Sequence, residues 1–290
     1  MVLGDFILDG KVAVITGAGS GINLEFAKLC QKNGCRVLAA DIRSTPELEE
    51  WLQEVKGAEC KVVYQETDVA QWDQLKALAR VSEQAFGEVP DLFVAGAGIF
   101  EARGPSNFWE DLEDDRYRLL DVNVGHAIQF TRIGIRELLR HKKKGVIMIV
   151  GSLAGYTPNF TAPLYVASKH AVTGFTRSMA DLDEIADIKV VACAPGMVYT
   201  RIWTDAPRAM QEYGITKDVC ALPDEIALGM KSLVESSQWP AGTVLEVVKG
   251  QQWRNVPAFN AEPPAGAGTK PEQNDVERRI LALLEKEKLE

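Results

Sequence analysis

The sequence predicts a single α/β domain built on a doubly wound parallel sheet of about seven strands. Short apolar runs alternate with longer stretches of helical periodicity from residue 11 to about residue 247, a pattern typical of parallel sheets with helices on both faces. The chain of 290 residues fits one such domain, and its hydrophobic fraction of 46% can fill a core. In sheets of this kind, ligands bind at the carboxyl ends of the strands.

Seven short apolar runs are predicted to be the strands. Between them, apolar residues recur at helical spacing, for example Leu24 and Ala27 in the first helix and Leu75 and Leu78 in the third. Crossovers between parallel strands are right-handed in nearly all cases, which leaves few possible topologies. The predicted strands are residues 11–16, 36–41, 61–67, 91–95, 145–151, 188–194 and 243–247.

The chain changes character after residue 250. Prolines and glycines interrupt any regular element there, so residues 251–272 are predicted to be a linker. Residues 273–290 are predicted to be a helix, because Val276, Ile280 and Leu283 recur at helical spacing. Two interpretations stay open for this helix. It either packs on its own domain or frays in solvent, or it contacts another subunit or a partner.

The charge balance argues against a nucleic-acid partner. The formal net charge is −9, whereas nucleic-acid binders concentrate basic residues on one face. The basic cluster at residues 141–144 lies between a predicted helix and a predicted strand and is interpreted as a solvated turn. No apolar run is long enough to cross a membrane, and Asp5 and Asp9 lie where a signal sequence needs apolar residues. We therefore expect a cytoplasmic protein that does not insert into membranes.

The cysteines and histidines do not suggest a metal site or disulfides. The five cysteines are odd in number and contain no Cys-x-x-Cys motif, which favours buried thiols in a reducing compartment. The three histidines share no spacing typical of metal ligands. The sequence therefore predicts no metal. The cysteines are Cys30, Cys35, Cys60, Cys193 and Cys220.

A glycine-rich turn at residues 16–21, with the sequence TGAGSG, follows the first predicted strand and opens a helix. In this position, glycines allow a tight turn, and the N–H groups at the start of the helix can bind a pyrophosphate. Asp41 ends the second predicted strand, where a carboxylate accepts hydrogen bonds from ribose hydroxyls and repels a 2′-phosphate. We therefore predict NAD rather than NADP, although Arg43 could in principle bind a phosphate.

Tyr165 and Lys169 are four residues apart on a predicted helix and therefore share one face. Lowering the pKa of a phenol from ~10 to about 7 takes about 4 kcal/mol, whereas an exposed ion pair contributes only ~0–1 kcal/mol. The pair is therefore expected in a sheltered pocket, where the ammonium lowers the pKa of the phenol and Tyr165 becomes a candidate acid or base. Ser152 lies thirteen residues upstream of Tyr165.

Together, these motifs resemble those of the short-chain dehydrogenases/reductases over roughly residues 8–250. The order and spacing of Asn123, Ser152, Tyr165 and Lys169 match the catalytic residues of that family. The resemblance implies a Rossmann-type domain at residues 1–250 that transfers a hydride between NAD(H) and an alcohol or ketone. It also implies that Tyr165 moves the proton, Ser152 binds the substrate oxygen, Lys169 stabilises the phenolate and binds the nicotinamide ribose, and Asn123 holds the helix and a proton-relay water.

The resemblance also implies a set of residues that bind the cofactor. Among them, Asp68 and Val69 would contact adenine, although an acidic residue at a strand end is also an ordinary helix cap. Pro195, Gly196 and Thr200 would hold the nicotinamide carboxamide. The full set is Gly17, Ser20, Gly21, Ile22, Asp41, Asp68, Val69, Ala95, Gly96, Ala97, Tyr165, Lys169, Pro195, Gly196, Val198 and Thr200.

Two departures from the family pattern lie in this predicted cofactor site. Asn23 stands where the family usually has a third glycine, and we expect it to weaken close packing there without closing the site. Residues 95–98 read Ala-Gly-Ala-Gly where the family usually has Asn-Asn-Ala-Gly. Loss of both asparagine side chains is expected to loosen this loop while its backbone still approaches the cofactor.

The predicted substrate is a lipophilic secondary alcohol or ketone. Apolar and aromatic residues surround the expected mouth of the site, and residues 197–222 resemble the mobile substrate lid of the family. The chain looks closest to the branch that contains 15-hydroxyprostaglandin dehydrogenase. The residues expected at the mouth are Phe100, Phe108, Trp109, Leu153, Tyr156, Phe160, Trp203, Met210 and Tyr213.

Two alternative functions stay open. An NAD-binding sensor or scaffold protein would act through the C-terminal helix and would tolerate damage among the reacting residues, but all four are intact. A sugar-nucleotide epimerase uses a similar Tyr-x-x-x-Lys pair but usually carries a larger C-terminal domain. Family resemblance further implies a homodimer or homotetramer associated through residues 112–130 and 163–185.

Overall fold

A computed structural model describes residues 5–59, 61–101, 108–109, 116–258 and 274–289. It contains an eight-stranded sheet in the order β3-β2-β1-β4-β5-β6-β7-β8. Strands β1 to β7 run parallel to their neighbours, and β8 pairs antiparallel with β7. The strands are β1 Val12–Thr16, β2 Arg36–Asp41, β3 Val62–Glu66, β4 Leu92–Ala95, β5 Gly145–Val150, β6 Ile188–Pro195, β7 Val244–Val248 and β8 Gln252–Asn255.

The helices lie between the strands along the chain. A π-helical turn, Asp121–Gly125, leads into α5, and a 3-10 turn, Leu153–Gly155, follows β5. The helices are α1 Gly21–Lys32, α2 Pro46–Glu54, α3 Trp72–Phe86, α4 Arg118–Leu120, α5 His126–Arg140, α6 Pro163–Ser178, α7 Leu182–Ala186, α8 Arg201–Thr204, α9 Pro207–Glu212, α10 Pro223–Glu235 and α11 Asn274–Glu287.

Two apolar layers cover the two faces of the sheet. One layer contains Phe26 of α1, Trp51 of α2 and Leu233 of α10. The other contains Leu75 of α3 and Phe130 of α5. Every residue of β1 and of β6 is buried, as expected for central parallel strands that are covered on both sides. The predicted doubly wound fold with helices on both faces is confirmed.

The order of the strands positions the site. Strand β1 pairs with β2 on one side and with β4 on the other, so the direction of the chain through the sheet reverses next to β1. Loops that leave the carboxyl ends of β1 and β4 diverge at this point and leave a crevice between them. The crevice is where the sequence places the glycine-rich turn and the loop at residues 95–98.

The structure differs from the prediction at the end of the sheet. Each of the seven predicted strands is present, but β8 lies in the stretch predicted as a linker. Trp253 packs against one apolar layer and Val256 is buried in the other, so this short segment closes the edge of the sheet. The prolines and glycines that suggested a linker lie almost entirely after β8. Residues 259–273, which hold most of the predicted linker, lie outside the described residues.

Helix α11 packs along α5 of the same domain, in agreement with the first of the two interpretations above. Leu284 is buried in the apolar layer of that face. Arg132 donates to Glu287 with an N–O distance of 2.9 Å. Val276, Ile280 and Leu283 of the same helix stay exposed.

The cysteines that the structure describes are free thiols. Cys30, Cys35, Cys193 and Cys220 are buried and unpaired, and Cys60 lies outside the described residues. Burial raises the pKa of Cys30 and raises that of Cys193 to about 12, which makes these thiols unreactive. Within the described part of the chain, each helix is too short or too polar to cross a membrane.

Candidate active site

A cleft of about 530 Å³ opens at the carboxyl ends of β1, β4, β5 and β6. All of the predicted site residues except Ala95 and Asn123 line it. Ala95 is the last residue of β4 and is buried in the sheet, and Asn123 is buried behind the cleft wall. In the described residues, no three His, Cys, Asp or Glu side chains lie together as potential metal ligands. The cleft is therefore the candidate site for both cofactor and substrate.

Ser152, Tyr165 and Lys169 meet at one end of this cleft. Ser152 follows β5, and its hydroxyl accepts the backbone N–H of Ala154 at 3.2 Å while it hydrogen-bonds the Tyr165 phenol. Lys169 lies one turn after Tyr165 on α6, with its Nζ atom 5.5 Å from the centroid of the tyrosine ring. The Nζ atom also donates to the carbonyl of Val150 at 2.8 Å. Two separate chain segments thus bring three polar groups to the same end of the cleft.

Burial controls the ionisation of the tyrosine and the lysine. It raises the pKa of the Tyr165 phenol above its ordinary value, and the hydrogen bond with Ser152 lowers it by less. It also lowers the pKa of Lys169 to about 8. The structure does not show the lowered phenol pKa that we expected from the sequence. Removing the phenolate from water costs more free energy than the hydrogen bond with Ser152 contributes.

Asn123 lies in the π-helical turn that precedes α5, a local distortion that is frequent at functional sites. Its Oδ1 atom accepts the N–H of Ile99 at 2.9 Å, and its Nδ2 atom donates to the carbonyl of Ile99 at 2.9 Å. The Nδ2 atom also lies 3.2 Å from the hydroxyl of Ser168. Asn123 therefore ties the loop after β4 to the helix that carries Tyr165 and Lys169.

The glycine-rich turn has the geometry of an anion cradle. Gly17 and Gly21 have φ angles of 70° and 60°, which residues with a side chain rarely adopt. A Cβ atom on Gly17 would lie 2.7 Å from the Cα of Ala97, so only glycine lets the two loops approach this closely. Ser20 is the N-cap of α1, and its side chain makes no capping hydrogen bond. The first N–H groups of α1 thus border the cleft, which suits a pyrophosphate.

Asp41 lies beside this turn at the end of β2. Its Oδ2 atom accepts the N–H of Gly19 at 2.8 Å. The nearby Arg43 extends to Asp205 in the lid segment, with an N–O distance of 3.6 Å. A carboxylate therefore lines the cleft beside the glycine-rich turn, while the neighbouring guanidinium is already paired with another carboxylate.

The next part of the cleft is formed by the end of β3. Asp68 and Val69 both line it, and Val69 is buried. One oxygen of Asp68 accepts the N–H of Ala70 at 3.0 Å, and the other lies 3.3 Å from a guanidinium nitrogen of Arg118. Asp68 thus organises the turn before α3 without capping that helix, whose N-cap is Gln71, and it borders the cleft.

The segment after β6 closes the cleft from the opposite side. Gly196 donates its N–H to the carbonyl of Val247 at 2.9 Å, and Val198 forms an isolated bridge with Ala221. Thr200 packs tightly on Gly21, because a Cβ atom added to Gly21 would lie 3.2 Å from the methyl group of Thr200. The segment that follows Pro195 is therefore placed directly over the start of α1.

Four aromatic rings, Phe100, Tyr165, Trp203 and Tyr213, form an aromatic cluster at the substrate end. The centroid of the Phe100 ring lies 5.0 Å from that of Tyr165 and 4.8 Å from that of Trp203. Tyr213 completes the cluster at 5.5 Å from Phe100, and its hydroxyl hydrogen-bonds Thr161 Oγ1 at 2.9 Å. Trp203 and Tyr213 belong to the predicted lid, so the lid covers the tyrosine with apolar surface.

Only some residues expected at the mouth line the cleft. Phe100, Leu153, Trp203 and Tyr213 do. Tyr156 instead donates its hydroxyl to Glu246. The expected mouth residues Phe108, Trp109 and Phe160 form a separate stack, and Met210 lies on α9.

Asn23 and the loop at residues 95–98 are linked, contrary to expectation. The Nδ2 atom of Asn23 donates to the carbonyl of Gly96 at 2.9 Å. The N–H of Gly96 bonds the hydroxyl of Thr16 at 3.0 Å, so both polar groups of this residue are held from the β1 side. Thr16 and Asn23 thus hold the backbone of this loop from outside it, and Asn123 holds the next residue, Ile99.

The sequence analysis gave no functional role to Thr16 or His126. His126 is fully buried, with its Nε2 atom 3.0 Å from the Thr16 hydroxyl and its Nδ1 atom 3.2 Å from the carbonyl of Val122. Burial lowers the pKa of His126 to about 4, and the Val122 carbonyl opposes this shift. Two sequence features could have indicated these residues. Thr16 is a polar residue at the end of an apolar strand, and His126 is a histidine three residues after Asn123.

We expect His126 to make the stability of the protein depend on pH between about 6.5 and 4. In this window the unfolded chain binds a proton that the folded chain excludes, so stability falls as the pH falls. A folded pKa of about 4 against 6.5 corresponds to a loss of about 3 kcal/mol below the window. Urea unfolding at pH 7 and at pH 4 should show this loss in the natural chain and a smaller one in His126→Gln. An equal pH dependence in both would contradict the assignment.

The comparisons with known proteins agree with this geometry. The family described as short chain dehydrogenase matches residues 11–211. The chain is 30% identical over 204 residues to "Short-chain dehydrogenase/reductase prx4" of Penicillium rubens, covering 67% of this chain and 56% of that protein. It is 30% identical over 205 residues to human 15-hydroxyprostaglandin dehydrogenase (NAD(+)), covering 67% of this chain and 71% of that one. The chain thus spans little more than half the length of the Penicillium relative.

Solved structures with similar folds contain either dinucleotide. A protein from Beutenbergia cavernae, solved with NADP bound at low occupancy, has a TM-score of 0.69 and 30% identity, covering 84% of this chain and 97% of that one. The 3-ketoacyl-(acyl-carrier-protein) reductase from Brucella melitensis, solved with NADH, has a TM-score of 0.68 and 28% identity, covering 84% of this chain and 99% of that one. The family match over residues 11–211, the cleft and these solved structures all indicate the same family.

Proposed function

The chain belongs to the short-chain dehydrogenase family, and from this premise we propose that it transfers a hydride between NAD(H) and a lipophilic secondary alcohol or ketone. The observation that carries the proposal is the meeting of Ser152, Tyr165 and Lys169 in one buried corner of the cleft, beneath an aromatic cluster. Bound NAD(H) would accept or donate the hydride. The chain's own residues bind the substrate, orient it and move the proton.

In the proposed reaction, Tyr165 is the acid and base. In oxidation it takes the hydroxyl proton of the alcohol, and in reduction it returns a proton to the carbonyl oxygen. Burial raises the pKa of its phenol, so at neutral pH the tyrosine holds the proton that it gives to the carbonyl oxygen in reduction, and it must first lose this proton to act as the base in oxidation. Lys169, whose pKa burial lowers to about 8, is mostly an ammonium at neutral pH. It stabilises the phenolate as the phenolate forms.

Ser152 and Asn123 fix the geometry of this step. The N–H of Ala154 holds the hydroxyl of Ser152, which leaves that hydroxyl placed to bond the substrate oxygen next to the phenol. Asn123 keeps α6 in register with the loop after β4 through its bonds to Ser168 and Ile99. Ser152, Tyr165 and Lys169 are proposed to touch the reacting atoms or the cofactor, and Asn123 to support them.

NAD is proposed as the cofactor rather than NADP. The carboxylate of Asp41 lies beside the glycine-rich turn, where it accepts bonds from ribose hydroxyls and repels a 2′-phosphate. Asp205 pairs with the nearby Arg43 and competes with any phosphate for it. The residues proposed to hold NAD are the predicted ones that line the cleft, namely Gly17, Ser20, Gly21, Ile22, Asp41, Asp68, Val69, Gly96, Ala97, Tyr165, Lys169, Pro195, Gly196, Val198 and Thr200.

The aromatic cluster supports a lipophilic substrate. Phe100 packs edge-on against the Tyr165 ring, and Trp203 and Tyr213 pack on Phe100. Apolar surface of this kind excludes water and favours apolar ligands. Two relatives named as dehydrogenases of 15-hydroxyprostaglandin and 3beta-hydroxysteroid support the same class. A homodimer or homotetramer and a cytoplasmic location stay predictions from the sequence.

The proposal is tested by following the absorbance of NADH with matched sets of substrates and both cofactors. Lipophilic secondary alcohols should be oxidised, and sugar alcohols of similar size should not. The kcat/KM for NAD should exceed that for NADP by on the order of tenfold or more, because Asp41 repels the extra phosphate. Preference for NADP would overturn the cofactor assignment. Turnover of the sugars alone, or of no substrate in the set, would overturn the substrate class.

A further inference from the structure

Glu101 is a buried carboxylate that the reaction described above does not use. Glu101 is only 2% exposed. One carboxylate oxygen, Oε2, accepts the backbone N–H of Tyr165 at 2.9 Å. The other, Oε1, accepts the backbone N–H of Phe108 at 2.9 Å. We propose that Glu101 is a positioning residue that fixes the backbone of Tyr165 and links it to the 108–109 turn.

The bond to Tyr165 completes the start of the helix that carries the proposed acid. Tyr165 is the third residue of α6, so its N–H is one of the four that have no partner inside the helix. Ala162 at the N-cap has no side chain that can accept it, and Pro163 has no N–H to offer. Glu101 therefore supplies from another segment the cap that α6 lacks. Its negative charge also suits the amino end of a helix.

The residue before Glu101 holds the other end of the tyrosine. The ring of Phe100 packs edge-on against the Tyr165 ring, with centroids 5.0 Å apart and planes at 64°. The main chain and the ring of Tyr165 are thus fixed by two consecutive residues of one loop. Ser152 is held separately, by the turn after β5. The distance between the two reacting hydroxyl groups therefore depends on Glu101, and a displacement of about 1 Å can cost about 100-fold in rate.

The second oxygen links Tyr165 to the separate aromatic stack of Phe108, Trp109 and Phe160. Phe108 packs edge-on against Trp109, with ring centroids 5.0 Å apart. Trp109 packs on Phe160 at 4.7 Å and donates its ring N–H to the Phe160 carbonyl at 3.0 Å. The carboxylate that holds the tyrosine thus also holds this separate aromatic stack. A merely structural role would predict loss of stability without a specific loss of turnover.

The test is Glu101→Gln, which keeps the shape of the side chain and leaves one carbonyl oxygen for two N–H donors. This positioning role rests on the function proposed above. We expect kcat to fall about tenfold to 100-fold, while the dissociation constant of NADH, measured by fluorescence, stays unchanged. Hydrogen exchange should also become faster at the amide of Tyr165. An unchanged kcat would overturn the proposal, as would equal losses of kcat and NADH binding.

Asp91→Asn is the matched control. Asp91 is also buried and accepts a backbone N–H, that of Val12 at 3.0 Å, but it lies at the amino ends of the strands. Its replacement should lower the melting temperature and leave kcat unchanged, whereas an equal fall in kcat would overturn the proposal.

If Glu101→Gln does not fold, rapid exchange of the Tyr165 amide in the natural chain would overturn the proposal, and strong protection would support it. Loss of turnover in Tyr165→Phe but not in Glu101→Gln would reject only the positioning role, and turnover retained by Tyr165→Phe would reject the proposed function.

Discussion

Replacement of Tyr165 by Phe is expected to lower kcat/KM on the order of 10³-fold, because it removes the group that moves the proton in both directions. The remaining groups cannot take over this role. The Ser152 hydroxyl bonds the phenol and the N–H of Ala154, and Lys169 lies over the ring with its Nζ atom on the carbonyl of Val150. The effect should therefore appear in kcat rather than in binding.

The same substitution should leave the fold and the binding of NADH nearly unchanged. A phenylalanine ring keeps the edge contact with Phe100 and the contact with Lys169 that the structure shows. The backbone bond to Glu101 does not involve the side chain of residue 165. Steady-state kinetics, NADH fluorescence titration and a melting curve on one preparation separate these effects. Turnover within about tenfold of the natural chain would refute the role given to Tyr165.

Tyr156→Phe is the matched control for this prediction. Tyr156 is also partly buried, but its hydroxyl donates to Glu246 rather than to a group at the reacting corner. Burial and Glu246 raise the pKa of this phenol far above its ordinary value, so it stays protonated at neutral pH. Turnover should be retained in Tyr156→Phe, and a loss equal to that of Tyr165→Phe would show that the assay responds to any missing tyrosine hydroxyl.

The parts of the fold and site that the sequence predicted depend on short-range patterns. Strands such as Val12–Thr16 and Ile188–Pro195 are continuous apolar runs between helical stretches, and they were placed within a residue or two. Tyr165 and Lys169 share a face because they are four residues apart on one helix. Ser152 lies near them because a parallel sheet places the end of β5 beside the helix that follows it.

The parts that the sequence did not predict depend on contacts between distant segments. Glu101 bonds the N–H of Tyr165 across 64 residues, and Asn23 bonds Gly96 across 73. No local period marks such a pair, since each partner is an ordinary residue in its own segment. The raised pKa of Tyr165 has the same origin, because burial is a property of the folded cleft and not of the Tyr-x-x-x-Lys spacing.

Gly96→Asn is expected to destabilise the protein by about 3 kcal/mol, at the upper end of what overpacking usually costs. A Cβ atom on Gly96 would lie 2.5 Å from the carbon and the oxygen of the Asn23 amide. Both are buried between the glycine-rich turn and the loop at residues 95–98, so neither can move without displacing a loop that faces the cleft. NADH should consequently bind more weakly, and the fluorescence titration measures this loss beside urea unfolding.

Asn23→Gly should relieve the clash that Gly96→Asn creates. Alone, it removes one hydrogen bond and should cost about 1 kcal/mol. The space it leaves is the space that an asparagine at residue 96 needs, so the double variant should be more stable than the sum of the two changes predicts. The difference should be about 2 kcal/mol, within the range found for residues in contact.

The comparison of Gly96→Asn, Asn23→Gly and the double variant shows whether the two departures from the family pattern depend on each other. Gly174→Asn provides the control for the substitution itself, because a Cβ atom on Gly174 meets no atom within 4 Å; its effect on NADH binding should be negligible. If the double variant loses as much stability as the two single variants together, Asn23 and Gly96 are independent. If it recovers both stability and NADH binding, Asn23 does from α1 what a side chain in the loop does in other members of the family, and neither residue can be exchanged without the other.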